Sequence, residues 1–223
     1  MRYLADPMES THLDRIRDVA AARCVSADPA HDFLHVQRVT NNARTIALAE
    51  GAELHVVLAA ALLHELFNYP KNHPESSRSG DVCADYAERV LRDERYPAEF
   101  IAPVCDAIRV HSFSRGITPD ALDARVLQDA DRLDAIGAIG IARCFSTCAS
   151  MGRPFYNPDD PFCHERAPDD QRWGVDHFYR KLLRIADGLH TAKAREIAAA
   201  RMRTMQSYLA DLEREIVSAS DSR

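Results

Sequence analysis

No stretch of the sequence approaches the ~18 consecutive apolar residues of a membrane-spanning helix. The opening residues, Met1-Arg2-Tyr3-Leu4-Ala5-Asp6-Pro7, lack the apolar centre of a secretory signal. The six cysteines (Cys24, Cys83, Cys105, Cys144, Cys148 and Cys163) include no C-x-x-C, and their spacing matches neither a zinc ribbon nor a dense disulfide frame. They read as small buried or bystander thiols in a reducing cytoplasm. Glycine is scarce at 8 residues and aromatics make up only 7%. Few turn breakers interrupt the long Ala/Leu/Arg/Glu-rich segments, which argues against a many-stranded β sandwich and for helices. Basic residues are also in deficit, with 28 Lys and Arg against 34 Asp and Glu for a net charge of −6. Such a chain is a poor partner for a nucleic-acid polymer, whereas a small phosphorylated substrate needs only a local basic pocket.

What is present is apolar content enough for a core. Hydrophobic residues are 46% of the chain and charged residues 28%, outside the range of wholesale disorder. A chain of 223 residues buries roughly 70% of its unfolded surface without a staple. One domain is the expectation. Helical spacing of apolar residues predicts helices from about Thr11 to Arg23 and from Leu34 to a stop at Gly51, with Asp32 or a neighbour as cap. The stretch from Leu54 to Leu66 is almost wholly apolar, and a helix apolar on every side belongs in the centre of a bundle. Asn68 to Pro74 is a loop. Further helices are expected from about Ser79 to Arg92, Ala98 to His111, and, mainly helical with two glycines inside it, Ala121 to Met151. A long loop, a functional lid or a disordered connection, is expected at about 152–174. Two last helices, Val175 to Leu189 and Ala192 to Val217, precede a tail from Ser218 expected to fray.

Polar residues embedded in apolar helical runs mark the chemistry. His64-Glu65 comes at the end of the most apolar helix, and an unpaired neutral polar group buried there costs roughly 2–7 kcal/mol. Asp129-Ala130-Asp131-Arg132-Leu133-Asp134 places three acids close together, which repel unless a cation absorbs the charge. His31 and His35 form an i, i+4 pair beside Asp32. Singly, a histidine in an apolar helix is most often a hydrogen-bonded core residue, and an acid run is most often a solvated face. Together they form a mixed nitrogen and oxygen donor set suited to a divalent ion. The zinc-protease pattern H-E-x-x-H fails, because position 68 is Asn.

Three segments in order carry a resemblance: His35-Val36-Gln37-Arg38-Val39, then Ala60-Ala61-Leu62-Leu63-His64-Glu65, then Gln128-Asp129-Ala130-Asp131-Arg132-Leu133-Asp134-Ala135-Ile136-Gly137. The sequence resembles the HD-domain superfamily of metal-dependent phosphohydrolases, over nearly the whole chain. The similarity continues through Asn68-Tyr69-Pro70-Lys71, Ile108 to Ser112 and Asp176 to Leu183. It implies an all-α fold, a single HD-type bundle over residues 1–223, with one divalent ion (Mn, Mg, Fe, Co, Ni or Zn) held by His35, His64, Glu65 and Asp131. The family's doublet is His-Asp, and this chain has His64-Glu65, whose extra methylene moves the carboxylate by about a bond length when a metal site tolerates roughly 0.2 Å. A mononuclear centre is expected, since the stretch from Ser76 to Arg109, where binuclear relatives draw an extra ligand, has no His.

The implied reaction is attack of metal-activated water on a small phosphate ester or nucleotide. Lys71, Arg38, Arg132, Lys181 and His111 are the expected phosphate contacts. His111, His31 and Lys71 are the expected catalytic helpers, with His73 and Asp134 as weaker candidates. A non-catalytic nucleotide- or metabolite-binding regulator on the same scaffold is the alternative, motivated by Glu65. No membrane partner is expected.

Overall fold

The computed structural model describes residues 7–24, 32–69, 73–112 and 116–220, with side chains from 11 to 216. Among the described residues the secondary structure is wholly helical, without a strand. The chain divides into two compact units, Met1–Asp131 and Arg132–Arg223.

The first unit contains α1 (Pro7–Arg23), α2 (Phe33–Glu50), α3 (Leu54–Leu63), α4 (Ser79–Asp93), α5 (Ala98–Val110) and most of α6 (Leu122–Asp134). Helix α3 is its axis. Every residue from Val56 to Leu63 is buried, and α1, α2 and α5 pack against it. Burying each Val or Leu side chain contributes roughly 1.5–3 kcal/mol, so an all-apolar helix has no stable place except this centre. Helix α2 begins where Asp32 accepts the His35 N–H at 2.9 Å, a side-chain cap on an otherwise orphaned donor. It ends at Gly51 with φ 75°, a left-handed stop that glycine adopts without a Cβ penalty. The amide of Asn42 on α2 donates to the Ala130 carbonyl on α6 at 3.2 Å. Gln128, fully buried on α6, donates from Nε2 to the carbonyls of Val110 and Ile117 at 2.6 and 2.9 Å.

The second unit holds α7 (Gly137–Ser150), α8 (Asp176–Arg180), a 3-10 segment (Leu182–Gly188) and α9 (Ala192–Ser220). The helices of this half differ from expectation in three details. The helical stretch from 121 to 151 breaks at Ala135-Ile136, because Gly137 takes φ 78°, a conformation that no right-handed helix continues through. The helix expected from Val175 to Leu189 stops at Lys181, whose φ of −135° leaves the helical region. The 3-10 segment beyond it buries Leu182 and Ile185, a three-residue spacing that fits the tighter turn. Helix α9 extends to Ser220, through the start of the tail expected to fray, and residues 221–223 lie outside the described residues.

Residues 152–174 form neither helix nor strand, as expected of a loop. They are heavily hydrogen-bonded within their own unit. Asp160 accepts the N–H groups of His164, Glu165 and Arg166 at 2.9, 2.9 and 3.2 Å. Arg166 grips the fully buried Asp176 with two bonds of 2.5 and 2.7 Å, and the Asp169 N–H adds a third at 2.6 Å. Backbone bonds from Gly174 to Pro154 and from Val175 to Phe155, at 3.1 and 2.7 Å, close the loop's base.

Candidate metal centre

Helix α3 ends at the His64-Glu65 doublet. Leu63 is its last helical residue, His64 is the C-cap and Glu65 lies in the turn beyond. His64 is buried at 1% exposure, and its Nδ1 sits 2.8 Å from the Ala61 carbonyl. A carbonyl only accepts, so Nδ1 carries the proton and the lone pair of Nε2 faces away from the backbone. Burial pushes the His64 imidazolium down to about 4; the carboxylates of Glu65 and Asp131 oppose that shift, and the His111 and His35 rings add to it. The ring is therefore neutral at ordinary pH, the state in which imidazole is a ligand.

Facing it is His35, fully buried on α2, with the two Nε2 atoms 3.3 Å apart. Asp131 Oδ1, from α6, lies 3.5 Å from His35 Nε2. His35, His64 and Asp131 each offer a ligand atom, and the three atoms lie within 4.8 Å of one another. Glu65 Oε1 comes within 3.8 Å of His35 Nε2 and 4.0 Å of His64 Nε2. All four residues belong to the first unit.

The spacing fits one cation. Two ligand atoms each about 2.1 Å from an ion stand roughly 3.0 Å apart at a right angle and roughly 3.4 Å apart at a tetrahedral one. The separation of 3.3 Å between the two imidazole nitrogens falls in that interval, and the 3.5 Å to Asp131 lies at its edge. The separations to Glu65 lie beyond it.

Of the other residues singled out by sequence, the structure brings His111 to this centre. Its ring packs edge-on against His64 with centroids 5.4 Å apart. Its Nδ1 donates to the Ile108 carbonyl at 2.6 Å, which leaves Nε2 as the atom able to take up a proton. Arg38 lies three residues along α2 from His35, on the same side of the helix and half-buried. His31 and Lys71 lie outside the described residues.

Arg132 is the first residue of the second unit. Its guanidinium lies on the Gly188 carbonyl at 2.5 Å and on His190 Nε2 at 3.1 Å. Lys181 is exposed where α8 ends. Asp134 is buried against Arg143 at 2.6 Å, and His73 stacks on Tyr69.

Two sets of contacts around the centre had no sequence signal. The thiols of Cys83 and Cys24 face backbone carbonyls of the doublet turn, and Gln128 binds the carbonyl that precedes His111. All six cysteines are free, and five are buried. Their partners are 19 to 41 residues away in the chain, beyond any local periodicity.

An all-α fold that gathers His, His-acid and Asp in that order from separate helices defines the HD-domain superfamily, and this chain belongs to it. The HD domain family matches residues 32–136, a span holding all four donors. Over 212 residues the chain is 32% identical to YpgQ, an uncharacterized protein of Bacillus subtilis (strain 168), covering 93% of this chain and 95% of YpgQ. The crystal structure of B. subtilis YpgQ in complex with ADP is similar with a TM-score of 0.72 and 33% identity, over 92% of this chain and 97% of that one. An HD-superfamily hydrolase from Bacillus thuringiensis is similar with a TM-score of 0.71 and 26% identity, over 93% of this chain and 97% of its own. Among the described residues no helix is long and apolar enough to cross a membrane.

Proposed function

We propose that this protein is a metal-dependent phosphohydrolase that cleaves a small phosphate ester or nucleotide. The observation that carries the reading is the convergence of three buried or half-buried ligand atoms, from His35, His64 and Asp131, at separations suited to one divalent ion. Glu65 is the proposed fourth, looser ligand. A nucleotide is the favoured substrate class, because the similar B. subtilis YpgQ has been crystallised in complex with ADP.

A divalent ion in this centre supplies an acidified water and a positive charge for a phosphoryl oxygen. The chain's own residues do the remaining work. His64 is oriented by its bond to Ala61 and kept neutral by burial. His111 Nε2 is the atom proposed to hand a proton to the leaving oxygen, with its ring oriented by Ile108. Arg38 is proposed to hold a substrate phosphate from the His35 side of α2. Lys71, His31, Arg132 and Lys181 keep the roles that the resemblance implies.

The deciding experiment is phosphate release from a panel of nucleotides and phosphate monoesters with Mn²⁺, Mg²⁺, Co²⁺ or Ni²⁺, comparing wild type with His64→Ala. Metal-dependent turnover that His64→Ala abolishes supports the reading. Silence of the wild type across the panel removes the enzyme. Thermal stabilisation by nucleotide without turnover would then favour a binding regulator.

A further inference from the structure

The sulfur of Cys83 sits inside the turn that carries His64 and Glu65. Helix α3 ends at Leu63, so the carbonyls of its last turn have no donor in the helix itself. Cys83 reaches across from α4, with Sγ 3.3 Å from the Leu63 carbonyl oxygen and 3.2 Å from that of His64. One S–H serves both oxygens as a shared donor. A second thiol continues the pattern: Cys24, the residue after α1, places Sγ 3.6 Å from the Glu65 carbonyl. Carbonyls 63, 64 and 65 therefore each meet a thiol. Burial raises Cys83 to about 12 and Cys24 to about 11, so both remain protonated donors.

This arrangement differs from simple core filling. Cys105 is another buried thiol in the same unit, with Sγ 3.6 Å from the carbonyl of Ala84 inside helix α4. Cys83 instead contacts the non-helical backbone from which both proposed ligands project. A turn leaving a helix has few backbone bonds of its own. Here one bond, from Leu66 N–H to the Leu63 carbonyl at 3.2 Å, joins the two sides of the turn.

We propose that Cys83, supported by Cys24, is a positioning residue of the metal centre: its sulfur fixes the 63–67 backbone and so holds the His64 ring and the Glu65 carboxylate in register with His35. This rests on the metal-binding reading above. Removing the sulfur takes a donor from the carbonyls of Leu63 and His64, and the turn regains one only by moving. Displacement of an outer partner of a metal ligand typically weakens affinity roughly 10- to 100-fold.

The test compares wild type with Cys83→Ala, Cys83→Ser and the control Cys105→Ala, on metal-free protein. Affinity for Mn²⁺ and Ni²⁺ alone is measured by calorimetry, and exchange of the Leu66 and Phe67 amides by NMR. Cys83→Ala should weaken metal binding roughly 10- to 100-fold and speed exchange at those two amides beyond the global change. Cys83→Ser keeps a donor and an acceptor on a shorter bond and should recover most of both. Cys105→Ala should alter neither. A wild-type dissociation constant in Cys83→Ala, or unchanged protection of Leu66 and Phe67, overturns the clamp. If Cys83→Ala fails to fold, Cys24→Ala and Cys83→Ser decide it: wild-type affinity and exchange in Cys24→Ala together with poor recovery in Cys83→Ser overturn it. A wild type that binds neither metal sinks the metal reading itself, an outcome distinct from wild-type binding that Cys83→Ala retains.

Discussion

His35 Nε2 and His64 Nε2, 29 residues apart in the chain, face each other at 3.3 Å in the buried interior of the first unit. The carboxylates of Asp131 and Glu65 lie beside them, the arrangement on which the proposed metal centre rests.

Replacement of either histidine by alanine should therefore eliminate metal binding. His35→Ala and His64→Ala are expected to lose the rise in melting temperature that Mn²⁺ gives the wild type, and to lose metal affinity beyond the roughly 100-fold typical of an outer partner. Differential scanning calorimetry with and without metal measures this. A full metal-induced shift in His64→Ala would remove His64 from the ligand set.

Glu65 should behave as the weakest of the four donors, since its oxygen stands 3.8 and 4.0 Å from the two imidazole nitrogens. Glu65→Ala is expected to weaken metal binding about tenfold, the scale of an outer partner. Glu65→Asp should retain binding while changing the preference among Mn²⁺, Ni²⁺ and Zn²⁺. Competition titrations with the three ions check both outcomes. Identical affinities and preferences in all three proteins would show that Glu65 is no ligand.

Gln128 is fully buried, and its amide satisfies two carbonyls, at Val110 and Ile117. Gln128→Ala leaves both without that donor, at a cost of about 1–3 kcal/mol, read by urea denaturation. Because Val110 immediately precedes His111, turnover should also fall in this variant. A loss of stability with unchanged turnover would mean that the Gln128 bonds do not position His111.

The Arg166–Asp176 pair makes the loop at 152–174 acid-sensitive. Burial pushes the Asp176 carboxyl up, but the Arg166 bonds, the Asp169 N–H and the Cys163 thiol outweigh it and hold the group below its ordinary 3.8. A depressed native value means that the pair's stabilisation is present above about pH 3.8 and is lost as pH falls through the native value. Trp173, the only tryptophan in the sequence, lies within this loop and reports on it. Its fluorescence should change on acidification below pH 3.8, before the far-ultraviolet helical signal falls. Asp176→Asn should destabilise the protein by roughly 3 kcal/mol, by leaving Arg166 without its anion in a mostly buried place, and should abolish that early acid step. An early step that persists in Asp176→Asn would assign it to another group.

The fold is legible in the sequence where the signal is local. The eight consecutive buried residues of α3 follow from apolarity on every side, and the Asp32 cap and the Gly51 stop follow from their residue types. The breaks at Ala135-Ile136 and at Lys181 are not legible there. Gly137 sits inside a periodic apolar stretch, and its positive φ is a backbone state that periodicity does not encode. Lys181 is a good helix former that leaves the helical region all the same, where burial of Leu182 and Ile185 outweighs propensity.

The order of the candidate donors, the centrality of α3 and the helical class were determined by the amino-acid sequence alone, because each is a matter of residue type and order along the chain. Tertiary structure decided which atoms meet: His35 with His64, His111 against His64, Cys83 against the doublet's backbone and Glu65 beside His35. Those contacts join segments tens of residues apart. Their ångström-scale distances are set by packing around a shared core, which no periodicity along the chain records.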